Sequence, residues 1–254
     1  AVCPAQPNIV PNDPRVTAVL VNLALVNNNP TSQATYVTAT PTSVKTNPDK
    51  TANSLAVAGG IHANMAVVPV GNDGKIHLFN NAGELDLVVD VLGYFIEDVD
   101  AEWAATNRGR VVPLEAPFRA FDTRETAFGD APLPHGTKES WSFQQFAESV
   151  TLNPDAVQPE VAPEQLGLIG GLFAVDLKKT YTTDSDSVSS YLQMYPGGLT
   201  ERPLSANVNF FPGEIVPNTS LIKYGTVEAD AYVVDVYNAY GSIDYVLDVY
   251  AIVL

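Results

Sequence analysis

Apolar and polar positions along this chain fall into short segments rich in β-branched and aromatic residues, most with a period of two. Val19-Leu20-Val21-Asn22-Leu23-Ala24-Leu25-Val26, Ala66-Val67-Val68-Pro69-Val70, Lys75-Ile76-His77-Leu78-Phe79 and Leu85-Asp86-Leu87-Val88-Val89-Asp90-Val91 are the clearest. Successive side chains of a strand point to opposite faces, so such segments read as β-strands. Turn chemistry separates them: Asn72-Asp73-Gly74 and Asn81-Ala82-Gly83 supply the positive φ values of tight hairpins, and nineteen prolines discourage long helices. Two stretches depart from the pattern. Lys138 to Val150 is compatible with a short helix around Phe143, Phe146 and Ala147, or equally with strand or irregular structure, and residues 97–106 suit a short helical or extended linker. The expectation is an all-β, antiparallel protein.

The pattern is also duplicated. Phe79-Asn80-Asn81-Ala82-Gly83-Glu84-Leu85-Asp86-Leu87-Val88-Val89-Asp90-Val91 returns as Tyr237-Asn238-Ala239-Tyr240-Gly241-Ser242-Ile243-Asp244-Tyr245-Val246-Leu247-Asp248-Val249. Upstream, Tyr36 to Pro41 corresponds to Tyr191 to Pro196, and Asn53, Gly59, Ile61 and Asn64 correspond to Asn207, Gly213, Ile215 and Asn218. The spacing drifts only slightly, as expected when length changes fall in loops. A chain of 254 residues exceeds the usual ~100–150 of one domain. The prediction is therefore two homologous β-sandwich modules, jelly-roll or Ig-like: residues 1–96 form the first and 160–254 the second. Between them, residues 97–159 have no counterpart before the first copy, and their prolines suit an extended arm with isolated strands packing on the second module, which either gives that module extra edge strands or lies across both modules.

Charge narrows the function. Thirteen basic residues against 29 acidic ones give a net charge of -16. Without a basic cluster, phosphate backbones are repelled, so a nucleic-acid partner is not expected. A single cysteine, Cys3, excludes an intrachain disulfide framework and a multi-cysteine zinc site. No stretch reaches the ~18–20 apolar residues that span a bilayer, and the N-terminus lacks the basic-then-apolar order of a signal peptide, so membrane insertion is not expected. Ala1 fits removal of either an initiator Met or a signal peptide.

At Pro117-Phe118-Arg119-Ala120-Phe121-Asp122-Thr123-Arg124 and Asp90-Val91-Leu92-Gly93-Tyr94-Phe95 the chain resembles a β-sandwich module family of actinobacterial surface proteins and virion proteins of actinobacterial phages. A typical unit of that family opens with Pro-x-Arg-Leu-Leu-Asp-Thr-Arg and closes with Asp-Val-x-Gly-Tyr-Phe. Here the first module lacks the opening segment, and the second ends Asp248-Val249-Tyr250-Ala251-Ile252-Val253. The resemblance implies a noncatalytic sandwich used for display or assembly.

Candidate chemistry is sparse. Arg119, Asp122 and Arg124 form the densest polar motif, and residues 122 and 124 share one side of a strand, where bidentate pairing locks it to a neighbour. Asp86 with Asp90, and Asp244 with Asp248, lie ~13 Å apart along a strand, too far for glycosidase chemistry, and are expected to face solvent. Asp184-Ser185-Asp186-Ser187 lacks the glycine and glutamate of a calcium loop. His62, His77 and His135 have no metal-ligand spacing, and Gly167 to Gly171 reads as a bend at a strand entry. Neither a catalytic residue nor a cofactor or metal is expected. Among the crowded tyrosines of the last strands, Tyr232, Tyr240 and Tyr250 are candidates for a partner surface.

The expected function is a non-enzymatic structural virion protein of a bacteriophage: a capsid decoration, minor capsid or tail component at the virion surface. Its partners would be the major capsid or other virion proteins, with a homo-oligomer as its own state. The alternative is a secreted or cell-surface adhesion module binding glycan or protein.

Overall fold

A computed structural model describes residues 10–28, 31, 33–46, 52–97, 109–125, 131–144, 167–178, 189–228 and 230–254. Their regular structure is almost wholly antiparallel strand, as the alternation predicts. The chain divides into two compact units, residues 1–99 and 100–254.

In the first unit, β1 (Val16–Val26) is flanked by β4 (Ile61–Pro69) and β6 (Asp86–Ile96). The facing sheet places β2 (Thr35–Thr40) between β3 (Ser54–Ala56) and β5 (His77–Asn80). Val19, Val21, Leu23 and Leu25 alternate along β1 and pack against Val37, Ala56, Ala66 and Val68, so the core lies between the sheets. The intervening Leu20, Asn22 and Ala24 are buried too, which fits the nearly unbroken apolar run of this strand.

The second unit is larger. Its first sheet has β9 (Gly167–Lys178) between β12 (Val216–Lys223) and β15 (Ser242–Val253), and β15 pairs on its other side with β7 (Val111–Asp122). The second sheet has β10 (Ser190–Pro196) between β11 (Val208–Phe210) and β14 (Asp230–Asn238). β14 also pairs with β13 (Gly225–Val227) and β8 (Lys138–Ser142).

The two units repeat one connectivity. In each, the first strand of the set pairs with the fourth and the last, while the second pairs with the third and the penultimate one. One irregularity of each coincides as well: β6 skips one residue between Val91 and Gly93 against β1, and β15 skips one between Val249 and Ala251 against β9.

Asparagine amides bond the backbone at the same places in both units, buried in the second and more exposed in the first. Asn53 accepts a hydrogen bond from the Ala39 N–H at 2.7 Å, and Asn64 donates to the Asn53 carbonyl at 2.5 Å. Asn207 accepts from the Met194 N–H at 2.6 Å, and Asn218 donates to the Asn207 carbonyl at 2.6 Å. Asn80 and Asn238 each brace the turn that carries the chain from one sheet to the other, β5 to β6 and β14 to β15, by donating to the carbonyls of Gly83 and Gly241, at 2.9 and 2.6 Å. Those glycines hold φ values of 65° and 67°, a left-handed conformation that side chains other than glycine resist. The tight hairpins expected at Asn72-Asp73-Gly74 and Asn81-Ala82-Gly83 are thus turns between sheets, because the strands they join pair elsewhere.

Three further expectations change. The described strands of the 97–159 stretch do pack on the second unit, but as paired members of its two sheets, β7 and β8, and the boundary falls at 99/100. Lys138–Ser142 is strand because β14 offers it a pairing edge, whereas residues 145–150 and the 98–106 linker lie outside the described residues. The glycines of Gly167 to Gly171 are inside β9, not at a bend. A Cβ at Gly170 would come within 2.6 Å of the Asp248 carbonyl oxygen, so close approach of neighbouring backbone explains that residue.

The asparagine network is expected to carry stability. Asn207→Ala strands the Met194 N–H and the Ser220 hydroxyl, which Asn207 contacts at 2.9 Å, and should destabilise the protein by about 1–3 kcal/mol in urea unfolding. Asn53→Ala, at a half-buried position, should cost less.

Candidate functional site

β7 ends at the densest charged cluster of the chain, and every member of it is engaged in holding strands. Arg119 sits opposite Asp248 in the β7–β15 register and donates to it twice, Nε to Oδ1 at 2.5 Å and Nη2 to Oδ2 at 3.2 Å. Its remaining Nη1 reaches Asp122 Oδ2 at 3.1 Å. Asp122 is buried and accepts three further bonds from Arg124: from its backbone N–H at 3.1 Å, from Nε at 2.8 Å and from Nη2 at 2.6 Å. The Arg124 hydrogen bonds hold the Asp122 carboxyl below the ordinary aspartate range, even though burial works the other way. Arg119 is raised above its usual value, chiefly by its bond to Asp248.

The strand-locking role expected of the Asp122–Arg124 pair falls to Arg119 instead. Arg124 lies beyond the strand end and folds back on Asp122, while the fork that bridges to the neighbouring strand belongs to Arg119. Its receptor, Asp248, is 129 residues away in sequence, so spacing alone could not pair them. A second correction concerns Asp244. It was expected to face solvent but is buried, accepting from the Thr123 hydroxyl at 3.2 Å, because the end of β7 covers it. Asp86, its counterpart on β6, is exposed.

The other edge strand is fastened in the same way. Lys138 Nζ and Ser140 Oγ on β8 reach the wholly buried Asp235 of β14 at 2.5 and 2.6 Å. Aromatic packing then joins the two edges: Phe121 of β7 stacks on Trp141 of β8 with centroids 4.5 Å apart and meets Tyr245 of β15 edge-on at 5.1 Å. Tyr245 donates to Glu139 and accepts from the Trp141 indole, both at 2.7 Å, and burial drives its phenol far above the ordinary tyrosine range. Lys138, Asp235, Trp141 and Tyr245 were not singled out as a group from the sequence, because only cross-strand register assembles them.

The candidate partner tyrosines do not form one patch with a shared role. Tyr232 is half-buried, packs edge-on against Tyr224 and contributes to the core margin. Tyr250 is half-buried at the β15 irregularity, and burial raises its phenol. Tyr240 alone is well exposed, stacked on His135 with centroids 5.8 Å apart. His77 meets Asp73 at 3.2 Å across the turn between β4 and β5. No group of three or more metal-ligating side chains occurs among the described residues, and Cys3 and the Asp184–Ser187 segment lie outside them.

The chain matches no protein-family model, no curated protein and no solved structure.

Two outcomes check the role of the cluster. Arg119→Ala should lower stability by about 1.5–3 kcal/mol, the range for a hydrogen bond to a charged group, with amide exchange accelerating along β7 and β15. Because the native Asp122 carboxyl is lowered, its contribution is complete above the unfolded aspartate value of ~3.9 and disappears as pH falls through the native one. Urea titrations from neutral to acid pH should therefore show the gap between the wild type and Asp122→Asn closing at low pH; a gap independent of pH would contradict this assignment.

Proposed function

We propose that this chain is a non-enzymatic structural component of a bacteriophage particle, a capsid decoration, minor capsid or tail protein exposed at the virion surface. The observation that carries the reading is the use made of its densest charged cluster. Arg119, Asp122, Arg124 and Asp248 form a closed set of hydrogen bonds that fastens one strand to the next, with the Asp122 carboxylate accepting four of them. A carboxylate so occupied is a fastener, poorly placed to accept a substrate proton. Two units of one connectivity, with a strongly acidic composition, suit a repeated building block that docks to other coat proteins. The resemblance at Pro117 to Arg124 and Asp90 to Phe95 is the reason for choosing a phage particle among assemblies.

A second reading, a surface adhesion module for glycan, rests on one feature: the exposed Tyr240 ring supported by His135 is the kind of flat aromatic platform on which a sugar face stacks.

Mass spectrometry of purified particles, followed by imaging with an antibody to this chain, tests the first reading. The expected result is a constant copy number per particle with label at the surface. Absence of the chain from particles, together with glycan binding that Tyr240→Ala abolishes, would replace it with the second.

A further inference from the structure

The two units differ in how one end of the sandwich is filled. In both, the chain leaves the fourth strand of the set through a glycine pressed on the backbone just beyond the second strand. A Cβ on Gly71 would come within 2.0 Å of the Pro41 carbonyl oxygen, and one on Gly225 within 2.0 Å of the Gly197 carbonyl oxygen. The residue before each glycine is therefore equivalently placed, and it is Val70 in the first unit and Tyr224 in the second. Tyr224 is buried, with the rings of Phe143 and Tyr232 at centroid distances of 5.8 and 5.4 Å. Valine lacks that ring, and at this place a cleft of about 910 Å³ opens among the described residues of the first unit.

Val19, Val21, Val70, Ile76 and Val91 make the apolar side of the cleft, and Asp13 and Asp73 are the charged residues of its lining. Local bonds fix both acids in place. Asp13 accepts from Arg15 Nη2 at 2.6 Å, while Asp73 accepts from the Lys75 N–H and meets His77 Nε2, both at 3.2 Å. A preformed cleft of this size, apolar with a few fixed polar groups, has the form of a binding site.

We propose that this cleft receives a phenylalanine side chain of another polypeptide, with a basic residue beside it in that partner's sequence. The repeat supplies the first half of the chemistry, since the second unit fills the equivalent place with an aromatic ring. There the Tyr224 hydroxyl is buried without a hydrogen-bond partner, a cost that a ring without a polar tip avoids. The valine and isoleucine side chains of the first unit's cleft favour phenylalanine over tyrosine for the same reason. Charge supplies the second half. Asp13 and Asp73, in a chain of net charge -16, attract a cationic neighbour and disfavour an acidic partner, a second copy of this chain included. The chain's own Phe118-Arg119 is already engaged on β15, where Arg119 holds Asp248. A single ring seated in a desolvated pocket is the usual anchor of a protein interface. The inference deepens the assembly reading and rests on it.

The probe is the peptide acetyl-Gly-Phe-Arg-Gly-amide, titrated into the full-length protein while the valine, leucine and isoleucine methyls are followed by NMR. The expected result is saturable shifts at Val19, Val21, Val70, Ile76 and Val91, with the methyls of the second unit unmoved. Binding should weaken when the peptide carries tyrosine in place of phenylalanine, and by about tenfold or more when it carries alanine or when Val70→Tyr fills the cleft from within. Raised salt should weaken it too, through the acidic rim. Val70→Tyr, and Ile76→Phe as a second filling, should unfold at or above the wild-type midpoint. No shifts at these methyls, shifts that persist in both filled variants, or equal binding of the alanine peptide would overturn the proposal. So would a loss of stability in both variants, since other residues of the chain would then occupy the space, or shifts that follow protein concentration without peptide, which would make a second copy the occupant. Detection of the chain in particles without a methyl response would sink this inference alone, and a methyl response with the chain absent from particles would end the assembly reading alone.

Discussion

A sheet edge is the constraint on which this molecule turns. The outermost strand presents a row of N–H and C=O groups that must find partners in water or in another strand, and its apolar side chains lose their cover on one side. The second unit meets that constraint by laying β7 along β15 and fastening it with the Arg119 fork on Asp248. Much else follows from this one pairing: Asp244 becomes buried beneath Thr123, Phe121 enters the core to stack on Trp141, and Tyr245 finds both of its hydrogen-bond partners on β8.

Placing the buried charges at edges has a physical logic. A buried carboxylate is costly unless its lone pairs are filled, and both Asp122 and Asp235 are filled from strands that join the sheet laterally. The pairs that cross strands, Arg119 with Asp248 and Lys138 with Asp235, contribute specificity of register more than raw stability, while the bonds to Asp122 come from its own segment. A one-residue slip of β7 would part Arg119 from Asp248 and turn Phe121 out of the core. The cationic members stay half-exposed, which keeps their own desolvation small.

Within the sheets, stabilisation is of another kind. The asparagines at 53 and 64, and again at 207 and 218, satisfy backbone groups where short strands begin and end, so the polypeptide leaves the ladder without orphaning its amides. Because the same bonds occur in both units, the differences between the units concentrate at their edges. Among the described residues the first has no strand beyond β6 where the second has β7, and the exposed Val88, Val89, Tyr94, Phe95 and Ile96 of β6 are apolar in both copies of the sequence.

The all-β class, the positions of the turns and the correspondence of residues between the two halves were legible from the sequence, because alternation, turn glycines and repeated asparagines are local signals with a period or a fixed offset. That those turns cross between sheets instead of closing hairpins was not legible. That Arg119, Asp122 and Arg124 pair locally was legible too, since their density on one short segment has few other uses, but not that Arg119 is the member that reaches the neighbouring strand. What only the tertiary structure decided was the partner of each: Asp248 for Arg119, Asp235 for Lys138, Glu139 and Trp141 for Tyr245. It also decided that residues between the halves are edge strands instead of an arm, and that Asp244 is buried while Asp86 is exposed. These are questions of lateral register between segments more than ninety positions apart, and a strand's own sequence specifies its two faces but not the neighbour along its edge.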